Sequence, residues 1–278
     1  MPSTYAHLRF GNDVYERLEG RARDICGRFR GLYSIGLHGP DILFYYDALH
    51  RNPVNQAGLD IHGRPGRDFF GPVKELLKED TERATAYMYG FACHFALDSE
   101  AHPYIEEYIH SKGVAHTAIE GDFDRELLRM DGKSPRRTYL AGHIEADDRD
   151  IGIMSRFFPG ITSEQIGRSL EEMRAYNRLL VAPGPIKRMA ITRILKRTGN
   201  YESMIGLVLK NSPDRRCLES NRELMRIYSD SVELAVRLIG DLEMYVDGTL
   251  RELPSRFDRT FSVVRSRKAR TRGPVPPG

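Results

Sequence analysis

Along most of the chain apolar residues return every three or four positions, whereas the strict alternation of a half-buried strand is scarce. Tight Asn-Gly or Asp-Gly turns between alternating runs are scarce too. The pattern predicts an all-α protein. Gly and Pro punctuate it at 36–40, Asn52-Pro53, 63–66, Gly71-Pro72, Asp131-Gly132, Pro159-Gly160, Pro183-Gly184-Pro185 and Ser212-Pro213. The intervals predict helices over about 12–30, 66–79, 82–109, 114–130, 163–181, 186–198, 200–210 and 219–249. In the last of these, Leu224, Ile227, Tyr228, Val232, Leu234, Ala235, Leu238, Ile239 and Leu242 form a broad apolar stripe suited to core packing. Beyond Pro254 the chain turns Arg-rich and ends Gly-Pro-Val-Pro-Pro-Gly. The expected organisation is therefore one helical domain over 1–250 and a disordered tail over 251–278.

Composition narrows the function classes. A chain of 278 residues, 40% hydrophobic, can bury a sizeable core, which excludes a fibrous or wholly disordered protein. With 42 Lys+Arg against 39 Asp+Glu, the net charge of +3 gives no whole-chain argument for nucleic acid. The surplus sits in 251–278, where eight basic residues face two acidic ones, so any attraction to an anionic membrane or to nucleic acid is expected there, with a plain solvated tail as the alternative reading. Cys26, Cys93 and Cys217 are odd in number and far apart, which fits a reducing compartment. No run approaches the ~18 apolar residues of a membrane span, and the opening residues lack a secretory pattern, so a cytoplasmic location without a transmembrane anchor is expected.

All nine histidines, His7, His38, His50, His62, His94, His102, His110, His116 and His143, lie in the first 143 residues. Equal odds along the chain would do this about once in 400 trials, so chemistry is sought in that half. On a helix His94, Asp98 and His102 fall four residues apart on one face, with the right atoms for zinc and an aspartate able to bridge two ions. Pro103 would bend the helix and re-aim His102 without removing it. His116 and Glu120 repeat the spacing, and the apolar neighbours Phe91, Phe95 and Leu97 make a buried carboxylate need a partner. His7, the Gly/Pro-rich turn carrying His38 and Asp41, and His62 are further candidates that spacing alone does not assign. His38 reads equally as a substrate contact or as a turn histidine bonded to backbone. His50, His110 and His143, beside loop or charged residues, read as solvated. Phe44-Tyr45-Tyr46 and Phe69-Phe70 read as core in preference to pocket wall.

As an ordered set, Tyr5-Ala6-His7, Pro40-Asp41, His62, His94/Asp98 with the following His102, and His116/Glu120 resemble the zinc-dependent phospholipase C family, which includes a single-strand-specific nuclease branch. The resemblance covers about residues 1–130. It implies an all-α fold around three zinc ions, with Asp41, His62, His94 and Asp98 on one, His7 and a bridging Asp98 on a second, and His102, His116 and Glu120 on the third. It implies hydrolysis of a phospholipid or other phosphodiester by zinc-activated hydroxide, with Asp41 as the catalytic residue that orients the water or takes its proton. Two features depart from the family: the chain has no Trp to serve as the family's N-terminal zinc ligand, leaving Pro2 as a candidate, and the step from Asp98 to His102 is shorter. The rivals are the same site acting on single-stranded nucleic acid or small phosphate esters, and a non-catalytic, zinc-stabilised helical scaffold.

Overall fold

A computed structural model describes residues 4–199 and 201–263. In chain order it contains α1 (Thr4–Arg17), α2 (Gly20–Arg28), α3 (Arg30–Gly36), a 3-10 segment Gly39–Tyr45, α4 (Pro53–His62), α5 (Gly66–Phe70), α6 (Val73–Leu76) and α7 (Thr81–Lys112). There follow α8 (His116–Met130), α9 (Asp148–Ser155), α10 (Ser163–Leu180), α11 (Pro185–Arg197), α12 (Tyr201–Met204) and α13 (Leu218–Val246). Short 3-10 turns lie at Ile205–Leu207, Arg215–Cys217 and Ser255–Asp258. The described residues hold no strand, only an isolated antiparallel bridge between Pro65 and Thr260. The all-α expectation holds. No described helix is long and apolar enough to cross a membrane.

After the polar first turn Thr81-Glu82-Arg83, the sequence of α7 is apolar on most sides as far as Leu97, and every residue from Ala84 to Ser99 is buried. A helix of that kind must be surrounded, and α1, α2, α3 and α13 pack around it. Two glycines set the closest crossing. A Cβ on Gly36 would lie 2.4 Å from the Tyr87 carbonyl oxygen, and one on Gly90 would lie 2.1 Å from that of Tyr33. The α3 and α7 backbones therefore touch directly, and the turn that follows α3 is delivered to the face of α7 carrying His94. Pro103 sits inside α7 without ending it, and the helix continues to Gly113, whose φ of 64° is the left-handed stop expected of a glycine.

The helix-start rules fail in instructive places. The interval 12–30 breaks into α1 and α2 at Leu18-Glu19, and Phe29 separates α2 from α3. Asn52-Pro53 opens α4 where a turn was expected. Asn52 and Asn55 exchange side-chain-to-backbone hydrogen bonds in a capping box, with Pro53 in the first turn, where its missing N–H costs nothing. Gly71-Pro72 divides 66–79 into α5 and α6, α9 has no counterpart among the expected helices, and 200–210 holds only α12 and a 3-10 turn.

The boundary at 250 needs correction, because Leu253, Phe257 and Phe261 are buried. Phe257 stacks on Phe95, and Phe261 meets the same ring edge-on at 4.7 Å. Arg259 pairs with Glu100 and Asp258 with Arg67, so the charges of this segment stay at the surface while its aromatic rings fill the core. The fold thus extends to at least residue 263, and 264–278 lie outside the described residues. The histidine-free half also braces the first half through Asp122. Its buried carboxylate accepts hydrogen bonds from Arg125, from Asn221 Nδ2 at 2.8 Å and from the Asp214 backbone at 2.9 Å. Those bonds tie α8 to α13 and to the turn before it.

Candidate metal centre

Five segments deliver the candidate side chains to one buried place. His7 comes from α1, Asp41 from the 3-10 segment, His62 from the last position of α4, His94, Asp98 and His102 from one face of α7, and His116 and Glu120 from the first turns of α8. Asp124, one turn beyond Glu120, accepts hydrogen bonds from the backbone N–H groups of Tyr5 at 3.0 Å and Ala6 at 2.7 Å. A carboxylate at the N-terminus of α1 satisfies donors the helix cannot, and so fixes the neighbouring His7. Gly39, at φ 48°, lies so close to the His94 ring that a Cβ would come within 2.4 Å of it.

Asp98 is the hub. Its Oδ1 lies 3.2 Å from His7 Nε2, and its Oδ2 lies 3.1 Å from His94 Nε2 and 3.6 Å from His62 Nε2. Asp41 Oδ1 is 3.1 Å from His62 Nε2, and Glu120 Oε1 is 2.9 Å from His116 Nε2 and 3.7 Å from His102 Nε2. Three groups have ligand atoms within 4.8 Å of one another: His7, Asp41 and His94; His62, His94 and Asp98; and His102, His116 and Glu120. All eight residues come together. The third group has the membership the resemblance implies, whereas Asp41 falls with His7 and His94 as well as beside His62. His94 is wholly buried, and of the eight only His116, with 32% of its side chain exposed, reaches an edge. A space of about 30 Å³ beside His7, Asp98, His102, Glu120 and Phe123 has room for water.

Hydrogen bonding decides the tautomers. His62 Nδ1 lies 2.7 Å from the Gly58 carbonyl oxygen, His102 Nδ1 2.7 Å from that of Phe261, and His94 Nδ1 3.3 Å from that of Leu37. A carbonyl only accepts, so each Nδ1 donates its proton and each Nε2 presents a lone pair to a carboxylate. Two acceptors facing each other need a proton or a cation between them. His94 Nε2 and Asp98 Oδ2, although 3.1 Å apart, lack hydrogen-bond geometry and have no other hydrogen-bond partner, nor do His7 Nδ1 and Glu120 Oε2. Buried, orphaned lone pairs of this type fit a divalent cation, with the backbone carbonyls as the outer contacts that orient imidazole ligands.

Without a cation, protons take that place. Burial disfavours the charged form of His62, but hydrogen bonds and charge from Asp41 and Asp98 outweigh it and push the group up to about 10. His102 goes up to about 9, Asp98 and Glu120 again overcoming burial. Burial pushes Asp98 and Glu120 upward, yet the surrounding imidazoles hold both well below the ordinary carboxylate range. For His94 burial prevails and lowers it, and for His7 the carboxylates prevail and raise it.

The remaining histidines divide. His50 and His110 are exposed, as expected. His143, read as solvated, is instead half-buried, its Nε2 2.6 Å from that of His38 and the rings stacked at 4.9 Å. Burial pushes His143 down to about 4 and His38 also well below its usual value, so this is a neutral N–H···N pair behind the cluster. Pro2 lies outside the described residues. Phe69 and Phe70 belong to an aromatic core with Phe91 and Phe157, whereas Phe44 lies against His62 at 5.2 Å. Two contributors escaped the sequence reading. Asp124 carried a signal, four residues beyond Glu120 on the same helix face, whereas the Phe261 carbonyl, 159 residues from His102, carried none.

Fold and site together define an all-α protein with a buried histidine–carboxylate cluster suited to metal. Comparison of the chain with protein-family models, with curated proteins and with solved structures finds no match.

Proposed function

We propose that the chain is a zinc-dependent phosphodiester hydrolase of the phospholipase C type. The observation that supports this most is the set of three imidazoles, His62, His94 and His102, whose Nδ1 atoms are occupied by backbone carbonyls while their Nε2 atoms converge on Asp41, Asp98 and Glu120. His7, Asp41 and His94, His62 with Asp98, and His102, His116 and Glu120 would hold the ions, up to three of them. Zinc bound there supplies Lewis acidity, bringing the pKa of water towards neutrality and neutralising the non-bridging oxygens of a phosphodiester.

The chain's own residues do the rest. Asp98, facing four imidazoles, supplies the negative charge that balances neighbouring ions. Asp41 is the proposed catalytic residue, its carboxylate orienting the attacking water and accepting its proton. His116, at the exposed edge, marks the side from which substrate enters, and a phospholipid would be split into diacylglycerol and a phosphorylated head group.

Asp41→Asn tests this role, because an amide keeps the shape of the carboxylate and a coordinating oxygen but cannot take the proton. Hydrolysis of short-chain phosphatidylcholine should fall about 100-fold or more, with at least two metal ions retained. Wild-type protein that holds its metal but cleaves neither this lipid nor a soluble phosphodiester would leave the zinc-stabilised scaffold as the better reading.

A further inference from the structure

The helix α11 exposes a face that its surroundings do not explain. Ile191 and Leu195 turn inward and join Ala182 and Val208 in a small apolar cluster separate from the main core. The opposite side presents Ile186, Met189 and Ile194, exposed by 78%, 53% and 60%. No other described helix exposes three large apolar side chains. The same thirteen residues carry Lys187, Arg188, Arg193, Lys196 and Arg197 and no acidic residue. None of the five pairs with a carboxylate among the described residues: Lys187 and Arg188 donate only to backbone carbonyls, and Lys196 lies over the Tyr201 ring. The surrounding stretch 173–216 has ten Lys/Arg and two acidic residues, net +8 over 44 residues, against net +6 over the 28 residues of the C-terminal segment where composition alone places membrane contact.

We infer that this face of α11 docks the protein on an anionic phospholipid bilayer, with Ile186, Met189 and Ile194 entering the acyl boundary and Arg193 and Arg197 meeting phosphate. The identity of the bilayer as substrate source rests on the function proposed above; the docking itself does not. Aliphatic tips flanked by Lys and Arg on a surface helix match the interfacial zone, where acyl chains and anionic head groups lie within a side chain's length of each other. Single-stranded nucleic acid would call for aromatic platforms, and α11 has none. The helix is also joined to the metal centre. Its cluster continues into the turn Ile205–Leu207, where Gly206 packs on α8 so closely that a Cβ would lie 2.2 Å from the Thr117 carbonyl oxygen, one residue from His116.

The test is co-sedimentation of the full chain as purified, with vesicles of pure phosphatidylcholine or of phosphatidylcholine with 30% phosphatidylserine at about 0.1 M salt. Anionic vesicles should bind about tenfold more tightly than neutral ones. The variant I186S/M189S/I194S, altered only at exposed positions, should bind about tenfold more weakly, with its unfolding midpoint and its hydrolysis of a soluble phosphodiester unchanged. R193Q/R197Q should lose most of the preference for phosphatidylserine, while R265Q/R267Q/K268Q/R270Q/R272Q should change binding less than about twofold. Wild-type protein that does not sediment, a serine variant that binds as wild type, or binding abolished by the C-terminal substitutions would each overturn the inference. So would a single-stranded oligonucleotide that binds through Arg193 and Arg197 while vesicles do not. Because docking is read from the pelleted protein and hydrolysis from the released head group, absence of hydrolysis with docking intact counts against the proposed function alone.

Discussion

At the scale of single residues, the cluster places imidazoles and carboxylates where either protons or cations can sit between them. His62 and His102 are held up to about 10 and about 9, above the ordinary histidine value of ~6.5. A group raised in the folded state contributes stability that is complete below its unfolded value and is lost as pH climbs through the folded one. The metal-free protein should therefore lose stability between about pH 6.5 and 10. The depressed Asp98 and Glu120 are the same interactions seen from the carboxylate side, and their contribution disappears in acid. Zinc needs neutral imidazole, so its uptake at pH 7 should release protons, at least one per chain, and flatten the alkaline loss. Calorimetry in buffers of different ionisation enthalpy reads that release directly; uptake without it would show that the imidazoles are already neutral. Asp124→Ala leaves the Tyr5 and Ala6 amides without their acceptor, which should cost about 1–3 kcal/mol in urea unfolding and weaken metal retention through His7. The i,i+4 spacing made His94, Asp98, His102, His116 and Glu120 legible in advance. It could not show the lone-pair directions, because the Leu37, Gly58 and Phe261 carbonyls that set them come from other elements or from backbone.

At the scale of elements, the helical period identified α7, α8, α10, α11 and α13. It failed where capping chemistry competes with turn chemistry. Asn-Pro reads as a turn, yet with a second Asn three residues later the same dipeptide starts α4 and carries His62 to its end. The end of the fold was hidden for a different reason. Arginine and proline beyond residue 254 suggest disorder, but Phe257 and Phe261 are stabilised by burial while the charges beside them stay outside and keep their solvation. The α3–α7 crossing, invisible in a sequence without its tertiary partner, aligns the Asp41 turn with His94. Gly90→Ala would drive a methyl group onto the Tyr33 carbonyl. A destabilisation of about 1–3 kcal/mol is expected, together with a reduced content of any bound metal, because separating the helices would draw the Leu37 carbonyl away from His94. Unfolding and elemental analysis of one sample check both; unchanged stability would mean that the crossing relaxes freely.

At the scale of the molecule, the two halves divide the work. The first 143 residues contain every histidine, while the second supplies α13 against α7, the Asn221 and Asp214 contacts to Asp122, and the Phe261 carbonyl that orients His102. Any metal held there would be coupled to folding, because the candidate ligands converge only when five separate segments are packed. The measurement that bears most directly on this is metal stoichiometry by elemental mass spectrometry, on full-length protein purified without chelator, with a His94→Ala/His116→Ala variant alongside. Two to three zinc ions per chain, lost largely in the variant while its helical content is retained, are expected. Folded wild-type protein that contains no metal and takes up none when zinc is added would contradict the metal centre and the hydrolase proposed on it.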